Sequence, residues 1–175
     1  MRGLADVATA FDERVEKWLA PRRSPALDRL MYGASSAADH GACWWTAAAV
    51  RLARTGDWRW AGGFALALGG ESAVTNTVKL ATRRGRPPVH FSHDDPLPYQ
   101  MRRPITSSFP SGHAVTAFTA AAVLSRGSRL APVYYAAAAT IAASRVYTRI
   151  HHASDGLAGV ALGVTLGGIA RRLVP

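Results

Sequence analysis

The sequence predicts an all-α protein: a multi-pass transmembrane helical bundle of about five spanning helices preceded by an amphipathic helix. Three observations predict it. Apolar segments recur along the 175 residues with tryptophans and arginines at their ends, as in helices anchored at the two faces of a bilayer. Lysine is nearly absent (Lys17 and Lys79), whereas arginine occurs 19 times. Gly159, Gly163 and Gly167 form a repeated small-xxx-small stripe, which lets neighbouring helices approach closely. Two features oppose this: a mean hydropathy of only +0.02, and uncharged runs at 130–144 and 156–170 that are short for spanning segments. The number of such segments in so small a chain outweighs them.

Each element has its own justification. Leu4, Val7, Phe11, Val15, Trp18 and Leu19 recur at helical spacing opposite Asp12, Glu13, Glu16 and Lys17, so residues 1–21 form an amphipathic helix stopped by Pro21. It can lie in a membrane interface or cap a bundle, and Trp18 beside Arg22 and Arg23 favours the interface. Its charges argue against a cleavable signal. A second helix starts at Ser24 or Pro25 and runs on, or restarts, towards Arg51, with Asp39 and His40 facing protein or water because a lipid-facing charge is costly. After a polar turn at 54–59, Trp58 and Trp60 sit where an aromatic belt belongs. Residues 60–80 then give roughly 31 Å of helix, a bilayer's hydrocarbon thickness, with Glu71 and Asn76 turned inward. Residues 85–109 are proline-rich and too long for a bundle turn, which marks an active-site loop. Helices resume at 111–125, 130–149 and 154–173. No linker interrupts the chain, so residues 1–175 are read as one domain.

The net charge of +10 does not point to nucleic acid, because the arginines are scattered at the ends of apolar segments rather than gathered in one stripe. Anionic lipid or phosphate is the better partner. A single cysteine, Cys43, excludes an internal disulfide and a multi-cysteine zinc site. His90, His93, Asp94 and Asp95 in the loop resemble metal ligands, but such clusters are more often solvated surface, and no metal is expected. Arg102 and Arg103 in the same loop are possible headgroup contacts.

Three clusters carry chemistry. In Ser144 to Asp155, reading SRVYTRIHHASD, the i, i+4 step places His151 and Asp155 on one helical face, where the carboxylate can hold one ring nitrogen and leave the other to attack. Arg145 supplies fixed positive charge ahead of them. Lys79 and Arg86 join a point charge to a planar fork, suited to holding phosphoryl oxygens. In PSGH, residues 110–113, Ser111 can cap the next helix, Gly112 lets backbone approach a ligand, and the first-turn N–H groups make an anion site. His113 stands beside it, able to protonate a leaving oxygen. Each cluster alone also reads as a loop, a basic helix end or a capped helix. If the helices alternate across a membrane, however, all three clusters lie at the same face.

Read in order, KLATRRGRP (79–87), PSGH (110–113) and SRVYTRIHHASD (144–155) resemble the three-part signature of the type 2 phosphatidic acid phosphatase (PAP2) superfamily, and within it the membrane lipid phosphatase branch. The resemblance implies an all-helical PAP2/haloperoxidase-like core and metal-free, cofactor-free hydrolysis of a phosphomonoester or diphosphate. It implies that Lys79, Arg86, Arg145, Ser111 and Gly112 bind the phosphoryl group, that His151 is the nucleophile, His113 the general acid and Asp155 the partner of His151. His152 is off the nucleophile's spacing and is a neighbour. The expected substrate is a lipid phosphate in the cell membrane: polyprenyl (undecaprenyl) diphosphate, phosphatidate, phosphatidylglycerophosphate or a lipid-linked sugar phosphate. The alternatives are a soluble or peripheral acid phosphatase of the same superfamily, and a non-enzymatic subunit that binds or transports lipid phosphate.

Overall fold

A computed structural model describes residues 3–88, 99 and 104–175, and among these it contains helices and no strand. The helices are α1 (Leu4–Leu19), α2 (Pro25–Ala37), α3 (Ala42–Thr55), α4 (Trp58–Thr82), α5 (Gly112–Leu124), α6 (Ala131–Tyr147) and α7 (Ala153–Leu173). Single 3₁₀ turns at Ala20–Arg22 and Asp39–Gly41 join α1 to α2 and α2 to α3. Pro21 and Pro25, and Ser24 accepting from Leu27 N–H at 3.3 Å, set the first break. The second break is sharper, because His40 (φ 55°) and Gly41 (φ 71°) are both left-handed, a pair that no α-helix accommodates. The segment from Ser24 to Arg51 therefore restarts rather than running on.

α5 is the axis. Its Ala114, Val115, Ala117, Ala120, Ala121 and Leu124 are buried, and it is apolar on every side, as expected of a helix surrounded by others. α7, α6 and α4 pack around it. Trp60 and Phe64 of α4, stacked 5.4 Å apart, and Ile141 of α6 fill the remaining core.

The glycine stripe of α7 is what brings that helix against α5. A Cβ on Gly159 would lie 2.6 Å from the Ser111 carbonyl oxygen, and one on Gly163 would lie 2.6 Å from that of Val115. No side chain fits there without moving a backbone. The consequence reaches the candidate site directly, since Ser111 N–H donates to the Asp155 carbonyl at 3.0 Å across the same contact. Replacing Gly159 with valine is expected to overpack this seam at a cost of about 1–3 kcal/mol. A lower thermal unfolding midpoint in detergent would show it, and Gly168→Val, whose Cβ meets nothing within 4 Å, is the control.

One expectation is left unestablished and another needs revision. Among the described residues only α7, with 21 residues and a mean hydropathy of 1.4, is both long and apolar enough to cross a bilayer. α3, α5 and α6 have 14, 13 and 17 residues, short of the ~20 that a perpendicular span uses, so helix length does not establish five spans. In α4, Glu71 does turn inward, accepting from Thr116 Oγ1 at 2.5 Å and from Thr75 Oγ1 at 3.3 Å. Asn76 does not: it is exposed and lines a groove beside Lys79.

Candidate active site

The C-terminus of α4, the N-terminus of α5, the turn after α6 and the N-terminus of α7 meet at one end of the bundle, and local backbone geometry aims each side chain. α4 ends with Arg83 left-handed (φ 47°), its N–H on the Lys79 carbonyl at 3.2 Å. The chain leaves the helix there, and Arg84 and Arg86 follow outside any regular element. α6 ends in a similar way. Arg149 is left-handed (φ 57°), and the Ile150 and His151 N–H groups both donate to the Arg145 carbonyl, at 3.1 and 3.0 Å, which satisfies an end-of-helix acceptor. His151 is thereby folded back over Arg145.

His151 and Asp155 do not share a helical face as expected, because α7 begins only at Ala153. Asp155 is the third residue of α7 and reaches backwards, its Oδ2 accepting from His152 N–H at 2.9 Å in a capping box. The same oxygen lies 3.7 Å from His151 Nδ1, longer than a hydrogen bond, and takes a short one from Ser108 Oγ. Oδ1 is held by Arg84 Nη1 at 2.6 Å. On the other side of the ring, Arg86 Nη1 is 3.3 Å from His151 Nε2. A guanidinium only donates, so Nε2 carries the lone pair and Nδ1 the proton, facing Asp155. Burial, opposed by Asp155 but helped by the charges of Arg86, Arg145 and Lys79, pushes the His151 pKa down to about 3. The ring is neutral and nucleophilic throughout the physiological range.

The cations surround this ring. Lys79 Nζ donates to the carbonyls of Ser107 (2.9 Å) and Pro110 (2.8 Å), tying the loop to the start of α5. An ammonium has three donors, so one remains. Arg86 also holds the carbonyls of Thr106, Ser107 and Ile150. Arg145, almost fully buried, donates from Nη1 to Ser35 Oγ of α2, and the same nitrogen lies 3.8 Å from Asp39 Oδ1. That Asp39 oxygen is in turn 3.0 Å from His113 Nε2. The structure thus brings Lys79, Arg86, Ser111, Gly112, His113, Arg145, His151 and Asp155 to one end of the bundle. Ser111 occupies the N-cap position of α5 but makes no side-chain cap. Its Oγ, Arg145 Nε and His151 Nδ1 are buried side-chain polar atoms without a hydrogen-bond partner among the described residues. Arg102, Arg103, His90, His93, Asp94 and Asp95 lie outside the described residues. Among the described residues, His, Cys, Asp and Glu side chains form no group of three suited to a metal.

Sequence reasoning missed a second ring of residues around the site. In the sequence Arg84 is one of three arginines, with Arg83 and Arg86, at a basic helix end, but it bridges two carboxylates: Asp155 at 2.6 Å and Asp12 of α1 at 2.7 Å. Asp12, buried on the otherwise exposed α1, also takes Ser154 N–H (2.7 Å) and Oγ (2.8 Å). Ser108, Ser35 and Asp39 complete this ring. Only Asp39 gave a signal, as a charge within an apolar stretch.

Residues 60–175 match the PAP2 superfamily. Decaprenylphosphoryl-5-phosphoribose phosphatase of Mycobacterium tuberculosis, in strains CDC 1551/Oshkosh and ATCC 25618/H37Rv, is 35% identical over 98 residues. That match takes in 55% of this chain and 51% of the relatives, so the chain spans about half the length of the curated relatives it matches. Two crystal structures share the fold. A transmembrane PAP2 type phosphatidylglycerolphosphate phosphatase from Bacillus subtilis superposes with a TM-score of 0.76 at 21% identity, over 96% of this chain and 86% of that one. Aquifex aeolicus LpxE gives 0.68 at 24% identity, over 91% and 93%.

Proposed function

The chain belongs to the PAP2 superfamily, and on that premise we propose that it is a metal-independent phosphatase that hydrolyses the phosphoester of a membrane lipid through a phosphohistidine. One observation carries the reading: a neutral His151, its Nε2 lone pair 3.3 Å from Arg86, stands within the field of Lys79, Arg86 and Arg145. Phosphoryl oxygens satisfy the third Lys79 donor, Arg145 Nε and Ser111 Oγ, and draw Arg86 off the ring. Gly112 supports the same reading. A Cβ there would meet Lys79 Cε at only 3.8 Å, so protein packing does not demand the glycine and close approach of a ligand does.

The chemistry then follows from the groups in place. His151 Nε2 forms a bond to phosphorus as the bond to the leaving oxygen breaks, and His113 gives that oxygen its proton. The three cations and the N–H groups at the start of α5 stabilise the equatorial oxygens. Asp155 stabilises the positive charge that develops on His151. In the second step water attacks phosphorus, the P–N bond breaks and the water proton returns to His113. Alcohol and inorganic phosphate are the products. The departing alcohol lies on the His113 side, in a cavity of about 380 Å³ with polar walls (His40, Glu71, Thr116) and aromatic ones (Trp44, Trp45).

Three features support membrane integration. Leu66, Val74, Val133, Leu157, Val164 and Ile169 of α4, α6 and α7 point outward, more apolar surface than a water-facing bundle carries singly. The only charge in α4 between Arg59 and Lys79 is Glu71, which is buried. α1 docks by Asp12 and leaves Leu4, Val7 and Trp18 exposed, with Arg22 over the Trp18 ring at 4.2 Å, the disposition of an interfacial helix. Tilted or flanked by interfacial residues, the shorter helices still reach across, which is compatible with a multi-pass protein of the cell membrane. Polyprenyl diphosphate, phosphatidate, phosphatidylglycerophosphate and lipid-linked sugar phosphates are the candidate substrates, and the phosphoribose relatives favour the last.

Phosphate release from these four substrates, in detergent micelles containing a chelator, tests the reading. Turnover of at least one, unaffected by the chelator, is expected. No release from any of them, with phosphate-analogue binding retained, would instead favour a lipid-phosphate binding subunit.

A further inference from the structure

We propose that Asp39, in the turn between α2 and α3, is a positioning residue for His113: its carboxylate holds the Nε2–H of the ring and leaves Nδ1 as the nitrogen that gives and takes the proton. This rests on the phosphatase reading above and adds a residue outside the three signature clusters.

The geometry is specific. Asp39 Oδ1 accepts from His113 Nε2 at 3.0 Å and lies 3.8 Å from Arg145 Nη1. Nδ1 of the same ring has no hydrogen-bond partner among the described residues. A carboxylate fixed on one imidazole nitrogen selects the tautomer and orientation and stabilises the imidazolium. Here that leaves the transferable proton on Nδ1. In the first step the Nδ1–H proton passes to the leaving oxygen as the P–O bond breaks. In the second, Nδ1 takes the proton of the attacking water. Nε2–H stays on Asp39 throughout.

The backbone places Asp39 there at a cost. His40 and Gly41 immediately after it are left-handed, and a histidine in that region is strained. The turn ends α2 and restarts α3 so that residue 39 faces the start of α5. Burial, Arg145 and His40 lower the His113 pKa, and the hydrogen bond and charge of Asp39 oppose them, favouring the protonated ring that a general acid needs. Asp39 and His40 face it from the turn, Arg145 from α6, and Glu71 and Lys79 stand on α4 nearby. Burial opposes ionisation of Asp39, but the His113 hydrogen bond and the positive charges of His113, Arg145 and His40 outweigh it and hold its pKa below the ordinary value. It remains a carboxylate. Beside a phosphate it is repelled, and Arg145 between them offsets that repulsion.

The test compares wild type, Asp39→Asn and Asp39→Glu on two substrates, the lipid phosphate turned over and p-nitrophenyl phosphate, whose leaving group departs without a proton. Asp39→Asn is expected to lower kcat on the lipid phosphate 20-fold or more, with KM unchanged or reduced. On p-nitrophenyl phosphate the burst rate of p-nitrophenolate release, which reports the first step alone, is expected to stay within about threefold, which also shows the variant to be folded. Asp39→Glu restores part of the loss. A burst rate on p-nitrophenyl phosphate that falls as far as kcat on the lipid phosphate, or a rise in KM alone, would make Asp39 structural and overturn the proposal. Higher activity in Asp39→Asn would do the same, by showing that the carboxylate obstructs the phosphate. If wild type releases phosphate from neither substrate, the phosphatase reading fails and this one with it. An active wild type with an unaltered Asp39→Asn variant sinks the positioning role alone.

Discussion

His151→Ala is expected to lower kcat by about 10⁴ or more, with little change in thermal stability. The size follows from the role, since loss of a covalent nucleophile leaves only binding and electrostatic stabilisation, and nucleophile deletions of this kind cost several orders of magnitude. No neighbour can substitute. His152 is the N-cap of α7, its Nδ1 3.9 Å from Asp12 rather than among the cations. Stability should hold because the native ring is neutral and its Nδ1 makes no full hydrogen bond, so alanine leaves no strong partner stranded beyond the contacts of Arg86, which has other acceptors. The decisive measurement is a trapped, acid-labile phosphoprotein after rapid quench. It should form in wild type and be absent from His151→Ala. It should accumulate in His113→Ala on p-nitrophenyl phosphate, where formation needs no acid but water attack has lost its base. A phosphoprotein of equal amount in His151→Ala would remove the covalent assignment.

The part of the site that was legible in the sequence is the part whose chemistry is local. Lys79 with Arg86, Ser111 with His113, and Arg145 with His151 and Asp155 each carry a readable logic within a few residues, and helix alternation brings the clusters together. The helices were legible for a similar reason: proline, glycine and tryptophan punctuate them. What could not be read depends on contacts far apart in sequence. Arg83, Arg84 and Arg86 look equivalent in a string. Only the left-handed turn at Arg83 separates them, sending Arg84 to Asp12 and Asp155. Asp39 was recognisable as a charge needing a partner, but that partner is 74 residues away. The apolar period of α1 was correctly read, yet its docking face is set by Asp12, which meets Ser154 and Arg84 in the folded chain. The i, i+4 rule also paired His151 with Asp155 for the wrong reason. The spacing works because the aspartate is the capping-box residue of α7, not because the pair lies on a helix.

Arg84→Ala should be the most damaging change outside the residues proposed to touch substrate. The guanidinium sits between two carboxylates, of which Asp155 is fully buried and Asp12 nearly so. Removing the common partner leaves both negative charges with only neutral donors: Ser108 and the His152 N–H for one, Ser154 for the other. Breaking a buried pair from one side costs about 3–5 kcal/mol, and solvent access to part of Arg84 places this case towards the lower end. Two effects are expected together. The unfolding midpoint falls, and α1 loosens from α7, because Asp12 is its buried anchor; faster proteolysis in 4–19 would report that. kcat falls as well, since Asp155 then swings towards whatever cation it can reach and no longer faces His151 Nδ1. Arg84→Lys should recover part of the stability but less of kcat, because a point charge cannot fork between two carboxylates as Nη1 and Nη2 do. Asp12→Asn separates the two roles. It releases α1 but leaves the Arg84–Asp155 contact in place, so stability should drop with kcat within a few-fold of wild type. If Arg84→Ala instead behaves like Arg83→Ala, with both within 0.5 kcal/mol of wild type and fully active, Arg84 is a surface charge and Asp155 is held by its helix cap alone.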